Sequence, residues 1–245
     1  MPKNNWIPIA VVALLVIGGG AFWFTHREQP LPPAPAATPP VPVAQRPPDA
    51  PLPPAADSDA QVRKLLGPLS TWPQLAQWLS ADGLLERWVA VADNLAEDAS
   101  PRKQLEFAAP QKKFAEKDGR IDAKGYARYD PFTEVVASID AKGFAAAVRE
   151  LHPLLESAYH RLGYPDRSVD DLARRALQRL IDAPVIEGEI ALKPKGAVYR
   201  FSDEKLEALG PVEKHLIRMG PRNTKLIQAK AREIAAALDL RVAQH

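Results

Sequence analysis

Residues 141–163 read AKGFAAAVRELHPLLESAYHRLG, preceded by Asp140 and ending on Gly163. Asp140 is suited to an N-cap and Gly163 to a helix stop, and Leu151, Leu154, Leu155 and Leu162 recur at helical spacing. Pro153 brings no N–H to the interior and predicts a kink there. One stretch therefore predicts about six turns of helix, and the rest of the chain follows from what such an element needs as neighbours.

Toward the N-terminus the pattern stays helical. Ser58 with Gln61, and Thr71 with Gln74, have capping-box spacing. They open segments whose apolar faces are Val62, Leu65, Leu66 and Leu69, then Leu75, Trp78 and Leu79. Asp82-Gly83 interrupts before LLERWVAVADNLAED, where Leu84, Leu85, Trp88, Val91, Ala92 and Leu95 form a helical stripe. Tryptophans at such positions read as core. On the C-terminal side, Ser168 with Asp171 caps a helix carrying Val169, Leu172, Ala176, Leu180 and Ile181 inward. Three more helices close the chain: 203–209, 211–219 and 221 to about 240. Gly210-Pro211 and Gly220-Pro221 each end one helix and begin the next.

Two segments break the helical pattern. KFAEKDGRIDAK (113–124) centres on Asp118-Gly119, and EIALK and AVYRF flank Pro194-Lys195-Gly196. Both read as β-hairpins, since glycine tolerates the positive φ of tight turns. The expected fold is a mainly α, bundle-like globular domain with two short hairpins, over residues 57–245.

Ahead of it stand two segments of another kind. WIPIAVVALLVIGGGAFWF, Trp6–Phe24, holds no charge in 19 residues, roughly 28 Å of helix and close to the hydrocarbon thickness of a bilayer. Trp6 at one end and Trp23 with its flanking phenylalanines at the other suit the two lipid–water interfaces. A cleaved signal peptide would use Ile7–Ile17 and the small residues Gly18–Ala21, yet the apolar run continues past them. Residues 1–28 are therefore read as a signal anchor and transmembrane helix. Residues 29–56 hold 12 prolines in 28 positions and form a proline- and alanine-rich linker, up to roughly 85 Å if extended. The single-pass layout favours an inner-membrane protein with its C-terminal domain in the periplasm. Lys3 and Arg27 bias the orientation only weakly, and a cytoplasmic domain is the alternative.

Charge excludes some partners. Setting aside Lys3, Arg27, Arg46, Glu28 and Asp49, the domain carries 29 basic and 28 acidic residues without a one-sign run, so no nucleic-acid stripe is expected. With zero cysteines, disulfides and thiolate chemistry are excluded. No G-x-S-x-G or phosphate loop occurs, and Ser58, Ser70, Ser168 and Ser202 fall where caps are expected. His152, Glu156 and His160 share a helix face, but the two histidines stand about 12 Å apart along the axis. One ion cannot take all three, so neither metal nor cofactor is expected.

Glu156-Ser157-Ala158-Tyr159 faintly resembles the glutamate–serine motif of lytic transglycosylases, in which a helix glutamate is the general acid. The resemblance covers four residues, and this chain continues HRLGYPD instead of the family pattern. A cell-wall glycan hydrolase using Glu156 is the alternative activity it implies.

Tyrosine and arginine recur together. YARYD (126–130), YHRLGYPD (159–166) and VYRF (198–201) contain all five tyrosines. Tyr126, Arg128, Tyr129 and Asp130 with Tyr159, Arg161, Tyr164 and Asp166 could build a groove for a sugar or peptide, joined by Tyr199 and Arg200. They could equally form an internal buttress, each arginine on an aspartate at a helix boundary. RMGPRN (218–223) poses the same choice, with Arg218 at a helix end and Asn223 able to bond the turn.

In that order and spacing, YARYD, YHRLGYPD, PVIEG, VYRF and LEALGPVEKHLIRMGPRN resemble the bacterial domain of unknown function 3014 family, over roughly residues 57–240. The resemblance implies a membrane-anchored bacterial protein with a proline-rich stalk and supplies no catalytic residue. The expected function is a non-enzymatic interaction or scaffold module, meeting an envelope protein or a cell-wall component.

Overall fold

The structure is a computed structural model and describes residue 49, residues 51–196 and residues 198–243. The expected membrane span and most of the proline-rich linker lie outside these residues. Among those described, no helix is long and apolar enough to cross a membrane. The elements follow as α1 (Ala55–Leu66), α2 (Pro73–Trp78), α3 (Leu84–Ala96), β1 (Glu116–Lys117), β2 (Arg120–Ile121), α4 (Ala123–Ala127), α5 (Asp130–Ser138), α6 (Ala141–Arg161), α7 (Val169–Asp182), β3 (Leu192–Lys195), β4 (Val198–Phe201), α8 (Glu204–Ala208), α9 (Pro211–Met219) and α10 (Pro221–Ala237). The described residues thus build a mainly helical unit with two small antiparallel strand pairs.

Helix α6 confirms the opening pattern. The Asp140 carboxylate accepts from the N–H groups of Lys142 and Gly143, and Gly163 turns out of the helix at φ +117°. Pro153 sits inside without ending it, and Ser157 Oγ donates to the Pro153 carbonyl at 2.8 Å. Ser168 caps α7 as expected. Other caps differ. Helix α1 begins at Ala55 after Pro54, so Ser58 lies within its first turns and bonds the Ala55 carbonyl instead. Thr71 does not cap α2, because Pro73 sets the helix start without a side-chain acceptor. Asp203, rather than Ser202, caps α8.

The N-terminus of α3 is capped from a distance. Gly83, its N-cap residue, has φ +65° and no side chain. The Asp59 carboxylate of α1 takes its place, accepting from Gly83 N at 2.8 Å and Leu84 N at 2.7 Å. Asp59 is 1% exposed; the two N–H groups and Arg63, 3.7 Å away, compensate its buried charge.

The core falls into three adjoining groups. The largest packs Val62, Leu66, Leu84, Leu85, Leu151, Tyr159 and Leu172 where α3 is held between α1, α6 and α7. A second gathers Tyr129, Val212, Leu216, Met219 and Ile227 around α9 and α10. A third places Ile121, Ile190, Leu192, Phe201 and Ile217 beneath the hairpins. Helix α10 buries Asn223, Thr224, Gln228 and Lys230, and these polar groups serve the ends of its neighbours. Gln228 Nε2 donates to the Ile181 and Ala183 carbonyls at 2.9 and 2.7 Å, at the end of α7. Lys230 Nζ reaches the Ile139 carbonyl just beyond α5 at 2.8 Å. These are carbonyls a helix cannot satisfy itself.

Both hairpins form. Asp118 and Gly119 have φ +53° and +72°, the signature of a type I′ turn. In the second, Leu192 pairs with Phe201, Lys193 with Arg200, Pro194 with Tyr199 and Lys195 with Val198. The turn therefore comes later than Pro194-Lys195-Gly196: Pro194 is in the strand, and Gly196 at φ +60° makes the bend. The hairpins join through Ile121 N to Ile190 O at 3.1 Å and Leu192 N to Gly119 O at 2.7 Å.

Replacing Asp59 by Ala strands two N–H groups at the buried start of α3. We expect a loss of about 2 kcal/mol in urea unfolding, with Asp59→Asn intermediate. A loss below about 0.5 kcal/mol would show that α3 does not depend on this cap.

Candidate functional site

Three of the tyrosine and arginine motifs meet at one corner. Gly220 closes α9 at φ +86°, and a Cβ there would stand 2.7 Å from the Tyr126 ring. Only glycine satisfies both the dihedral and the contact. Burial raises the Tyr126 phenol above its ordinary pKa. One turn on, Asn223 is 1% exposed. Its Nδ2 faces the Met219 carbonyl at 2.9 Å, Asp130 Oδ1 at 2.9 Å and the Tyr126 carbonyl at 3.3 Å. Arg222 adds ion pairs to Asp130 at 3.4 Å and Glu134 at 3.1 Å. Asn223 and Asp130 thus serve to fasten α10 to the start of α5.

The corner positions two arginines that have no such partner. Arg128 Nη2 donates to the Tyr129 hydroxyl at 2.8 Å. Its guanidinium lies 4.6 Å from the Tyr129 ring centre and 5.3 Å from that of Phe114. Arg218 lies 4.4 Å from the centre of the Phe201 ring and donates to the Lys214 carbonyl at 3.3 Å. Among the described residues neither forms a salt bridge, and Arg128 Nε is buried without a hydrogen-bond partner. Burial, with repulsion from Arg128, holds the Arg218 pKa below its ordinary value despite attraction from Glu207.

Between them His215 meets the Tyr129 ring edge-on at 5.5 Å. Burial first, and then the charges of Arg102, Arg128 and Arg218, push its pKa down to about 4. His215 is therefore neutral near pH 7. Tyr199, 38% exposed, continues the cluster through Phe114 at 6.0 Å. Arg200, its neighbour along the strand, points to the opposite face and is exposed. The result is a positive, aromatic-walled cluster whose donors are not consumed by the protein's own carboxylates. Such donors match carboxylate or phosphate oxygens.

YHRLGYPD builds something else. Tyr159 is fully buried, 5.0 Å from the Tyr164 ring, and its hydroxyl accepts from Arg175 at 3.3 Å. Glu97 bridges Arg175 at 2.7 Å and Arg167 at 3.3 Å, and the bond from Arg175 lowers the Glu97 pKa. Asp93 has its pKa raised by burial and then by Glu97, and its Oδ1 is buried without a hydrogen-bond partner among the described residues. These ion pairs and ring contacts tie α3, α6 and α7 together. Arg161 and Asp166 are exposed and take no part in it.

The remaining candidates serve the fold. Glu156 Oε2 accepts from Val169 N at 2.7 Å, capping α7 beside Ser168, and Oε1 is 3.4 Å from His160 Nε2. A general acid needs its proton free for a substrate, whereas both oxygens here face the protein's own groups. His152 Nε2 pairs with Asp170 at 3.2 Å. Among the described residues no group of three histidine, aspartate or glutamate side chains could hold a metal ion. His160 Nδ1 faces Asp49 at 2.7 Å and Nε2 the Arg167 carbonyl at 3.0 Å.

A family model described as a protein of unknown function, DUF3014, matches residues 84–235, and the chain belongs to that family. The match begins later than the expected residue 57 and contains the five segments that carried the resemblance, 126–130, 159–166, 184–188, 198–201 and 206–223. Neither a curated protein nor a solved structure matches the chain.

The sequence reading missed His215, Phe114, Arg102 and the acceptors Asp59 and Glu97. His215 precedes Arg218 by one helical turn, the only local sign of its place. The others act on residues remote in sequence.

His160 provides a pH test. Burial disfavours its charged ring, but the bonds to Asp49 and the Arg167 carbonyl, with the charges of Asp49 and Glu156, outweigh this and raise its pKa. A pKa raised on folding contributes stability below the unfolded value, about 6.5. That contribution is lost as pH rises through the folded value. Nuclear magnetic resonance titration should place His160 above about 6.5 and lower in Asp49→Asn. No change in Asp49→Asn would contradict the pairing.

Proposed function

We propose that this chain is a non-enzymatic binding module of the bacterial cell envelope. It is anchored in the inner membrane by Trp6–Phe24, and its proline-rich linker carries the helical domain into the periplasm. The observation that carries the reading is Arg128 and Arg218. Two partly buried cations repel each other and add to the burial that keeps His215 neutral, an arrangement that costs stability unless an anion completes it. Their flat forks and the rings of Tyr129, Phe114 and Phe201 suit the carboxylate or phosphate of an envelope protein or cell-wall component. The uncharged span, the stalk and the lack of a serine, cysteine or phosphate-loop motif agree with a tethered receptor rather than a catalyst.

In cells, cross-linking should capture an envelope partner with the wild-type chain and lose it in Arg128→Gln/Arg218→Gln at equal expression. Alkaline phosphatase fused after His245 should be active. An unchanged cross-linked species would remove the arginines from the function, and an inactive fusion would place the domain in the cytoplasm.

A further inference from the structure

Helices α3 and α7 pack against each other, and beside them residues of α2, α5, α6 and the end of α10 line an apolar hollow. This pocket, partly open to solvent, has a volume of about 680 Å³, well inside the ~300–1,000 Å³ range of small-molecule sites. It shares no residue with the Arg128–Arg218 cluster. Trp78, Trp88, Phe107, Phe132 and Phe144 wall it with aromatic faces. Trp78 meets Phe132 at 5.3 Å, and Trp88 meets Phe144 at 6.3 Å. Ala92 and Ala173 keep the space open.

Charge enters this lining through four residues, Arg149, His152, Asp170 and Asp239. Three are exposed and His152 is partly so, which puts the polar rim at the solvent side. Arg149 bonds through Nη2, to the Ala237 carbonyl at 2.6 Å and Asp239 at 3.4 Å. Among the described residues no acceptor meets Nε or Nη1 of its fork, which leaves them for another. His152 meets Asp170 at 3.2 Å.

Water against such walls finds few partners, and apolar surface exposed to it gains by being covered. The occupant that fits is apolar along its length and polar at one end. We infer that the pocket binds a long-chain amphiphile, its tail along α3 and α7 and its anionic head at Arg149. An apolar tail gains by leaving water for these walls. A carboxylate or phosphate head takes the unused donors of Arg149 and competes with Asp239 for the rest.

The test uses the full chain in native membranes, a diazirine-bearing palmitic acid, illumination and peptide mapping. Adducts should appear on peptides covering 84–96 and 169–182, and excess unlabelled palmitate should remove them. Ala173→Phe fills the cavity and should abolish them with no fall in Tm; Ala92→Phe is the second such variant. Arg149→Ala should weaken labelling by the acid but leave labelling by a diazirine-bearing hexadecanol unchanged. The proposal is overturned if adducts fall only outside these helices or if unlabelled palmitate does not compete. Adducts that persist in a folded Ala173→Phe or Ala92→Phe overturn it as well. Equal loss of acid and alcohol labelling in Arg149→Ala would overturn the anionic head.

Discussion

The backbone at Gly220 passes so close to the Tyr126 ring that no side chain fits between them. That contact fixes where α9 ends, where α10 begins and where the segment 126–130 lies against both. Asn223 then gathers the Met219 and Tyr126 carbonyls and the Asp130 carboxylate onto one amide. Arg128 stands one residue from Tyr129 and Arg218 two from Gly220. Their mutual repulsion is thus imposed by a rigid backbone joint and cannot relax by helix movement without loss of the Asn223 bonds.

A second theme is the supply of helix-end partners from afar. Asp59 starts α3, Glu156 helps start α7, and Asp98, itself at φ +52°, accepts from Val212 N at 3.1 Å to start α9. Gln228 and Lys230 finish α7 and α5. Each stitch converts an orphan backbone group into a tertiary contact, so many short helices are held without disulfides. The same device explains why Glu156, the most enzyme-like residue of the sequence, is a helix cap here.

What the sequence revealed follows the range of the physics involved. Gly220-Pro221, Gly210-Pro211, Asp118-Gly119 and Asp140 act on their own backbone, and each placed its element correctly. Ser58 and Thr71 had the right spacing for caps, but Pro54 and Pro73 set those helix starts first. The proline at 194 looked like a turn, yet a two-stranded hairpin has only edges, where proline is tolerated. The tyrosine motifs were visible as a set, but not their division: 126–130, 198–201 and 218–223 meet, while 159–166 forms a separate buttress. Trp78 and Trp88 read as core and do pack against it, but they also wall a space between helices. No local pattern encodes such a space.

The thermal unfolding of Arg128→Met/Arg218→Met weighs binding against folding as the reason for these two cations. Methionine keeps the apolar stem and removes the charge together with the bonds to the Tyr129 hydroxyl and the Lys214 carbonyl. If the arginines are held for a ligand, the unliganded double variant melts at or above the wild-type Tm. A fall matching about 3–5 kcal/mol, as when a buried ion pair is broken, would mean that they hold the domain together and that the anion site does not exist.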